Sequence, residues 1–371
     1  MALLLPYSVD YGSRNKYLYF FFESLLAEGI NVVSSPKEWI NKSSGYKAVL
    51  IHWPESLPRF DEHTDYDFLN FTFERLNHFK KFSKIIYFVH NERSHNSFKR
   101  IDKKLYERII DISDAIFHFS NFSKDLYKLN YKFGKKQFVI PHGNYIKLDN
   151  NQFKRQQLLK ELNFDTKKLI VTSIGAIRKK EEINLLYNFA KHYLKANCYF
   201  IYAGDLVEDF SHLKYSGKFL AYVKYLIFEK LKLKKFIIIY RVFKLKSLSK
   251  NIRIFPSSIS DDLLLKICKA SDILLITRFN NLNSGNISLG FTFGCYVLGP
   301  DVGNIGEILR RYNNMVFPLR KIQYEKLVKQ SIQNINSKIV KNNKKIALNN
   351  WDWKIIGKNL KNAFSYLDIL N

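Results

Sequence analysis

Gln137-Phe138-Val139-Ile140-Pro141-His142-Gly143-Asn144-Tyr145 is the stretch on which the fold turns. Gln137–Ile140 has the length and apolar character of a buried strand. Pro141 stops it, because proline has no N–H to give a ladder. Gly143 then lets the backbone approach another group closely. A histidine and an asparagine just past a strand end sit where open α/β sheets hold their ligands. A plain strand-to-linker turn with a solvated histidine is the competing reading of this segment alone.

Upstream, short apolar runs alternate with helical patterns. Leu3–Pro6, Ile30–Val33, Ala48–His52, Lys84–His90 and Ala115–Phe119 read as strands, and Tyr17–Glu28 as a helix closed by Gly29. Continuous apolar strands between helices predict a parallel sheet covered on both faces. The polar run Leu148–Gln157 breaks the series, and the pattern restarts. Lys168–Ile174, Cys198–Ala203, Asn251–Phe255, Ile273–Ile276 and Tyr296–Leu298 read as strands. Glu182–Lys195, Asp261–Ala270 and Gly285–Gly294 read as helices between them. The chain closes on an amphipathic helix, Trp351–Leu370.

The 371 residues suit two domains, and 46% hydrophobic with 16% aromatic content excludes general disorder. Met1–Pro6 has no basic region before it, so no export signal is expected. No run of about 20 apolar residues predicts a transmembrane helix. Cys198, Cys268 and Cys295 form no CxxC pair and no metal spacing, which fits a reducing cytosol. The net charge of +27 calls for an anionic partner or reflects a lysine-rich composition. No nucleic-acid-binding module is legible, so nucleic acid is not expected.

Four further segments carry chemistry. Gly175-Ala176-Ile177-Arg178-Lys179-Lys180 follows a strand with a glycine turn and clustered cations. An arginine fork and a lysine point charge suit a diphosphate; a basic solvated loop is the bland alternative. Asn283-Ser284-Gly285 opens a helix, whose first N–H groups form an anion site. Gly299–Glu307 reads as a glycine-rich loop with Gly303, Gly306 and Glu307. His90 ends a strand and is followed by Asn91 and Glu92.

In this order the segments resemble the GT-B glycosyltransferases of family 4 and group 1. Ser113-Asp114-Ala115-Ile116-Phe117-His118-Phe119-Ser120, Phe138–Tyr145, Ile170–Arg178, Ala270–Gly285, Gly294–Leu298, Gly303–Ile308 and Trp351–Ile356 each resemble a family segment. The resemblance implies two Rossmann-like domains with parallel sheets facing across a cleft. Residues 1–150 would form the acceptor domain and 165–348 the nucleotide-sugar domain, with a basic insertion at 210–250. Residues 350–371 would be a helix crossing back to the first domain.

By resemblance the reaction is sugar transfer from a nucleoside-diphosphate donor to a glycan or lipid-linked acceptor hydroxyl, with retention and without a metal or other cofactor. His90, Arg178 and Glu307 would be catalytic. Gly175, Arg178, Lys179, Lys180, Asn283, Ser284 and Gly285 would hold the donor, and Gly12, His142 and Asn144 would line the acceptor side or cleft. The chain departs from the family at its paired glutamates, where Asn281 and Leu289 stand, and at its lysine, which falls near Glu181-Glu182. The missing carboxylates keep a non-catalytic partner subunit as an alternative, and the charge keeps a basic nucleic-acid-binding protein as another.

The insertion His212–Arg253 sets twelve cations against Glu229 alone, interleaved with aromatic and aliphatic residues. Such a pattern predicts a helix lying on an anionic membrane surface, so the expected location is cytoplasmic and peripheral on the inner membrane face. A helical hairpin packed on its own domain is the alternative.

Overall fold

The computed structural model describes residues 1–10, 15–58, 65–92, 101–131, 135–149, 154–165, 167–206, 233–257, 259–279, 281–335 and 338–370; residues 65, 66, 101, 102 and 233–235 are described by their backbone. The chain divides into two compact units, one of Met1–Gly143 with Trp351–Asn371, the other of Asn144–Asn350. The first division thus falls inside the Pro141–Tyr145 turn, a few residues before the polar run that the sequence marks as the junction.

The first unit is built on β1 (Ala2–Leu5), β2 (Val32–Val33), β3 (Ala48–Ile51), β4 (Lys84–Phe88), β5 (Ala115–His118) and β6 (Lys136–Val139). They form one parallel sheet in the order β2-β1-β3-β4-β5-β6. Around it run α1 (Lys16–Ala27), α2 (Pro36–Ile40), α3 (Asp65–Lys80), α4 (Ile101–Ile112) and α5 (Asn121–Asn130). Residues of β1 and β3 are buried throughout, as strands covered on both faces must be. The chain's last helix, Trp353–Tyr366, completes this unit. Asp352 caps it by accepting from the Lys354 N–H at 2.9 Å. Ile356, Leu360 and Phe364 are buried, and Lys361 Nζ donates to the Glu28 carbonyl at 2.8 Å.

The second unit repeats the plan with β7 (Ile170–Ile174), β8 (Tyr199–Ala203), β9 (Ile252–Phe255), β10 (Ile273–Leu275), β11 (Tyr296–Pro300) and β12 (Met315–Phe317). These strands are again parallel, in the order β12-β11-β10-β7-β8-β9. Its helices are α6 (Arg155–Glu161), α7 (Lys180–Lys195), α8 (Leu233–Lys246), α9 (Asp261–Ala270), α10 (Gly285–Thr292), α11 (Gly303–Arg311), α12 (Tyr324–Asn334) and α13 (Lys338–Asn349); the last helix becomes α14. Phe189, Tyr193, Phe200, Tyr202 and Phe317 fill the core. The glycine-rich segment read as a loop is helical from Gly303 onward, so only its first residues are strand end and turn.

Both sheets use one bracing device. Ser113 and Ser271 each donate their hydroxyl to the carbonyl four residues earlier, Ile109 and Ile267. The next residue, Asp114 or Asp272, accepts the N–H at the start of the neighbouring strand, Ile85 or Ile170, at 2.8 Å. Arg155 adds two bonds of 2.7 Å to Asp272. The Ser-Asp dipeptide that opens both family-like segments is therefore a strand brace. A carboxylate satisfies a backbone donor that the parallel ladder leaves over.

Candidate active site

In an open α/β sheet, ligands gather at the carboxyl ends of the strands, where the strand order reverses. In the second unit that point lies between β7 and β10. Gly175 follows β7 with φ of 108°, and Gly204 follows β8 with φ of 151°. A Cβ on Gly204 would stand 2.3 Å from the Gly175 carbonyl oxygen, so both turns require glycine. Tyr202 Oη ties them by donating to the carbonyls of Gly175 at 2.9 Å and Asp205 at 3.0 Å.

The loop then runs into α7. Glu182, buried in the first turn of that helix, accepts from the N–H groups of Arg178 at 2.9 Å and Lys179 at 3.3 Å. The lysine expected from the resemblance falls near this glutamate and Glu181. Glu182 supplies a carboxylate that fixes the loop and presents the Arg178 side chain. Arg178 Nη1 is buried with no hydrogen-bond partner. Lys179 is half-buried at the helix N-cap, and Lys180 is exposed at its first position.

Across the switch point stands Arg278, three residues past β10 and absent from the sequence reading. Burial first, and the Arg178 charge second, push its guanidinium down to about 10, opposed by Glu182 and Tyr202. The buried Arg278 guanidinium thus lies within reach of the charges of both Arg178 and Glu182. An anion bound there would offset the repulsion between the two cations. Arg278 escaped notice because Thr277-Arg278-Phe279 matches no spacing pattern; only the sheet order brings it beside Arg178.

α10 starts beside them. Asn286 Nδ2 donates to the Ile174 carbonyl at 2.7 Å, fixing this helix end to the end of β7. Ser284 makes no side-chain cap bond, so the helix start keeps its anion-binding character. Asn304 Nδ2 donates to Asn283 Oδ1, joining the start of α10 to that of α11. Glu307 lies one turn farther along α11, paired with Arg311 at 3.2 Å. Leu289 is buried in α10, so the second glutamate position of the family is core here.

The first unit gathers a different set at its own sheet edge. His52 follows β3, His90 follows β4 by two residues and His142 follows β6 by three. His52 Nδ1 and His90 Nε2 are 2.8 Å apart. Trp53, held at φ 39°, stacks on His90 with ring centroids 3.9 Å apart. Tyr17 of α1 sits 5.1 Å from His90 and 4.6 Å from His142, centroid to centroid. Burial holds His52 down to about 3, and holds His142 down to about 4 against a hydrogen bond from its Nδ1–H to the Gly143 carbonyl.

Gly143 answers to packing. A Cβ there would lie 2.1 Å from the Trp353 ring. Asn144 belongs to the second unit, where its buried side chain donates to the Ala347 carbonyl at 2.8 Å and accepts from the Ile146 N–H at 3.2 Å. Its amide thus ties two backbone groups of the second unit. Gly12 lies outside the described residues. Asp65-Tyr66-Asp67, the one DxD, opens α3. Among the described residues no group of three or more His, Cys, Asp or Glu side chains is placed to hold a metal ion.

No family model matches the sequence, and no curated protein matches it. Solved structures do. Sucrose-phosphate synthase from Thermosynechococcus elongatus is similar over 100% of this chain and 99% of that one, with a TM-score of 0.64 at 12% identity. HepE of Anabaena, solved in complex with UDP-glucose, is similar over 98% of this chain and 99% of its own, with a TM-score of 0.64 at 14% identity. WaaG, a glycosyltransferase involved in lipopolysaccharide biosynthesis, gives 0.58 at 12% identity over 96% of this chain and 98% of that one. The chain therefore has the GT-B fold: two Rossmann-like units, each on a six-stranded parallel sheet.

Proposed function

We propose that the protein is a glycosyltransferase that takes a sugar from a nucleoside diphosphate and passes it to a hydroxyl of a glycan or lipid-linked glycan. The observation that carries this reading is the nearness of the buried Arg278 to the Arg178 loop, which Glu182 holds by its backbone N–H groups, at the switch point of the second sheet. As the sugar C1–O bond breaks, positive charge builds on the ring and negative charge on the departing diphosphate. Preorganised donors aimed at that diphosphate lower the barrier. Arg178, Arg278, Lys179 and the start of α10 at Ser284-Gly285 would supply them, with Lys180 adding charge from the helix start. These cations would do the work of a metal, and no cofactor beyond the sugar nucleotide is proposed.

His90 would contact the sugar or acceptor from the first unit, with His142 beside Tyr17 lining the acceptor side. Glu307 would contact the sugar or ribose. The resemblance of the segments supports retention of configuration. HepE, a GT-B protein of the same architecture, holds UDP-glucose in its crystal structure, which supports a uridine nucleotide as the first donor to test. Among the described residues no helix is long and apolar enough to cross a membrane. The charge of +27 supports work at an anionic membrane surface, here read as the cytoplasmic face of the inner membrane. A thermal-shift screen of sugar nucleotides tests the reading, since a ligand bound only by the native state raises the melting temperature. No shift with any of them would favour a non-catalytic partner subunit.

A further inference from the structure

The helix α8 has two apolar faces, and among the described residues only one of them is covered. Val242 and Leu245 enter the core of the second unit. Arg241 Nη1 donates to the Leu206 carbonyl at 2.8 Å on the same side. About half a turn round the helix, Phe236, Ile239, Tyr240 and Phe243 follow one another at steps of three, one and three residues. That spacing makes a single stripe, and its side chains are 66%, 63%, 63% and 70% exposed. Scattered exposed apolar residues need no explanation, but four on one stripe form a patch of the kind that marks an interaction surface.

The rim of the patch identifies the occupant. Helical geometry places Lys244 on one flank of the stripe and Lys246 on the other, and the helix contains no acidic residue. Lys244 Nζ is held 4.8 Å from the Tyr187 ring, so its charge stays at the flank. An aromatic and aliphatic stripe between two rows of cations matches the interface of an anionic bilayer, where rings enter the acyl boundary and ammonium groups meet the headgroups. A second copy of a chain with net charge +27 would meet that rim with like charge. Nucleic acid would call for cations along the stripe itself.

We propose that the outward face of α8 docks on an anionic lipid bilayer, the helix lying flat with Phe236, Ile239, Tyr240 and Phe243 toward the lipid. This assignment rests on the reading that the protein works at a membrane surface, and the test separates the two. The full chain is floated with vesicles of phosphatidylcholine and phosphatidylglycerol, and with phosphatidylcholine alone. Three proteins are compared: wild type, Phe236→Ser with Phe243→Ser, and Lys244→Gln with Lys246→Gln.

Wild type is expected to float with the anionic vesicles and to be released by salt. The phenylalanine pair should weaken vesicle binding by about tenfold or more, since both rings lose their burial in lipid. Its melting temperature without lipid should be unchanged. The lysine pair should weaken binding less. Wild type that fails to float overturns the membrane reading itself. Equal flotation of wild type and the phenylalanine pair overturns the α8 assignment and leaves the membrane reading standing. A melting temperature lowered by the phenylalanine change would show the face covered within the chain. A dimer lost on that change would show a second copy there; either result overturns the assignment.

Discussion

His52 Nδ1 stands 2.8 Å from His90 Nε2, so the two imidazoles share one hydrogen. The far nitrogen of His52, Nε2, is buried with no partner. An orphaned buried N–H is rarer and costlier than an orphaned lone pair. The shared hydrogen therefore belongs to His52 Nδ1, and His90 Nε2 accepts it. His52 fixes the tautomer of His90, as a second group commonly does for a working histidine.

From this follows a division of effects. His90→Ala should lower turnover far more than nucleotide affinity, because the phosphate cations belong to the other unit. His52→Phe should lower turnover less and alter its pH profile. Steady-state kinetics beside nucleotide titration measure both. Nucleotide affinity that collapses together with turnover would place His90 in the donor site.

Acid should unfold the protein through buried histidines. Burial holds His52 and His118 down to about 3 and His142 down to about 4. Each folded value lies below the unfolded one, so the unfolded chain binds protons first as pH falls. The stability these groups leave intact above about pH 6.5 is lost on the way down towards 4, at about 1.4 kcal/mol per pH unit for each histidine. Denaturant melts at a series of pH values read the slope, and His118→Gln should reduce it by about one proton. A flat profile from neutral pH to pH 5 would contradict the burial of these rings.

Gly143 and Trp353 should behave as a coupled pair. Gly143→Ala drives a methyl into the indole and should cost about 1–3 kcal/mol, the usual range for overpacking. Trp353→Leu removes large buried contacts and should cost more alone. Combined, the two changes should cost less than the sum of their separate effects. Simple additivity in denaturant melts would show that the helix moves aside.

Much of this architecture is legible in the sequence because buried parallel strands are continuous apolar runs. Ala48–Ile51 and Ala115–His118 show it plainly. β12 was not read: Met315–Phe317 has only three residues and follows a polar Asn pair. α3 and α4 also escaped, since α3 mixes aromatic with polar residues and α4 carries charge along much of its length. The phosphate loop could be found because glycine and cations sit together in sequence. Arg278 could not, because it reaches Arg178 only through the adjacency of β7 and β10. Asn144 has a structural part that the sequence does not display. Its neighbours His142 and Gly143 look like a site motif, yet its amide serves two backbone groups of its own unit.

Arg278 should prove dispensable to the unliganded protein and needed for the ligand. Burial and the charge of Arg178 both disfavour its ionised form. Arg278→Met should therefore leave the melting temperature without ligand little changed or raised, and should reduce the shift produced by a nucleoside diphosphate. A large loss of stability with an intact ligand shift would make Arg278 a core residue instead.

Calorimetric titration of the second unit's cations with UDP, and with uridine as the control lacking phosphate, tests the central claim most directly. Wild type should bind UDP and not measurably bind uridine, because the diphosphate is the part proposed to meet Arg178 and Arg278. Arg178→Ala should weaken UDP binding roughly tenfold or more, the loss of one charge-assisted bond worth about 1.5–3 kcal/mol. If another base is preferred, the same comparison with that nucleotide and its nucleoside applies. Nucleoside and nucleotide bound alike, or UDP bound equally by wild type and Arg178→Ala, would contradict a diphosphate site at this switch point.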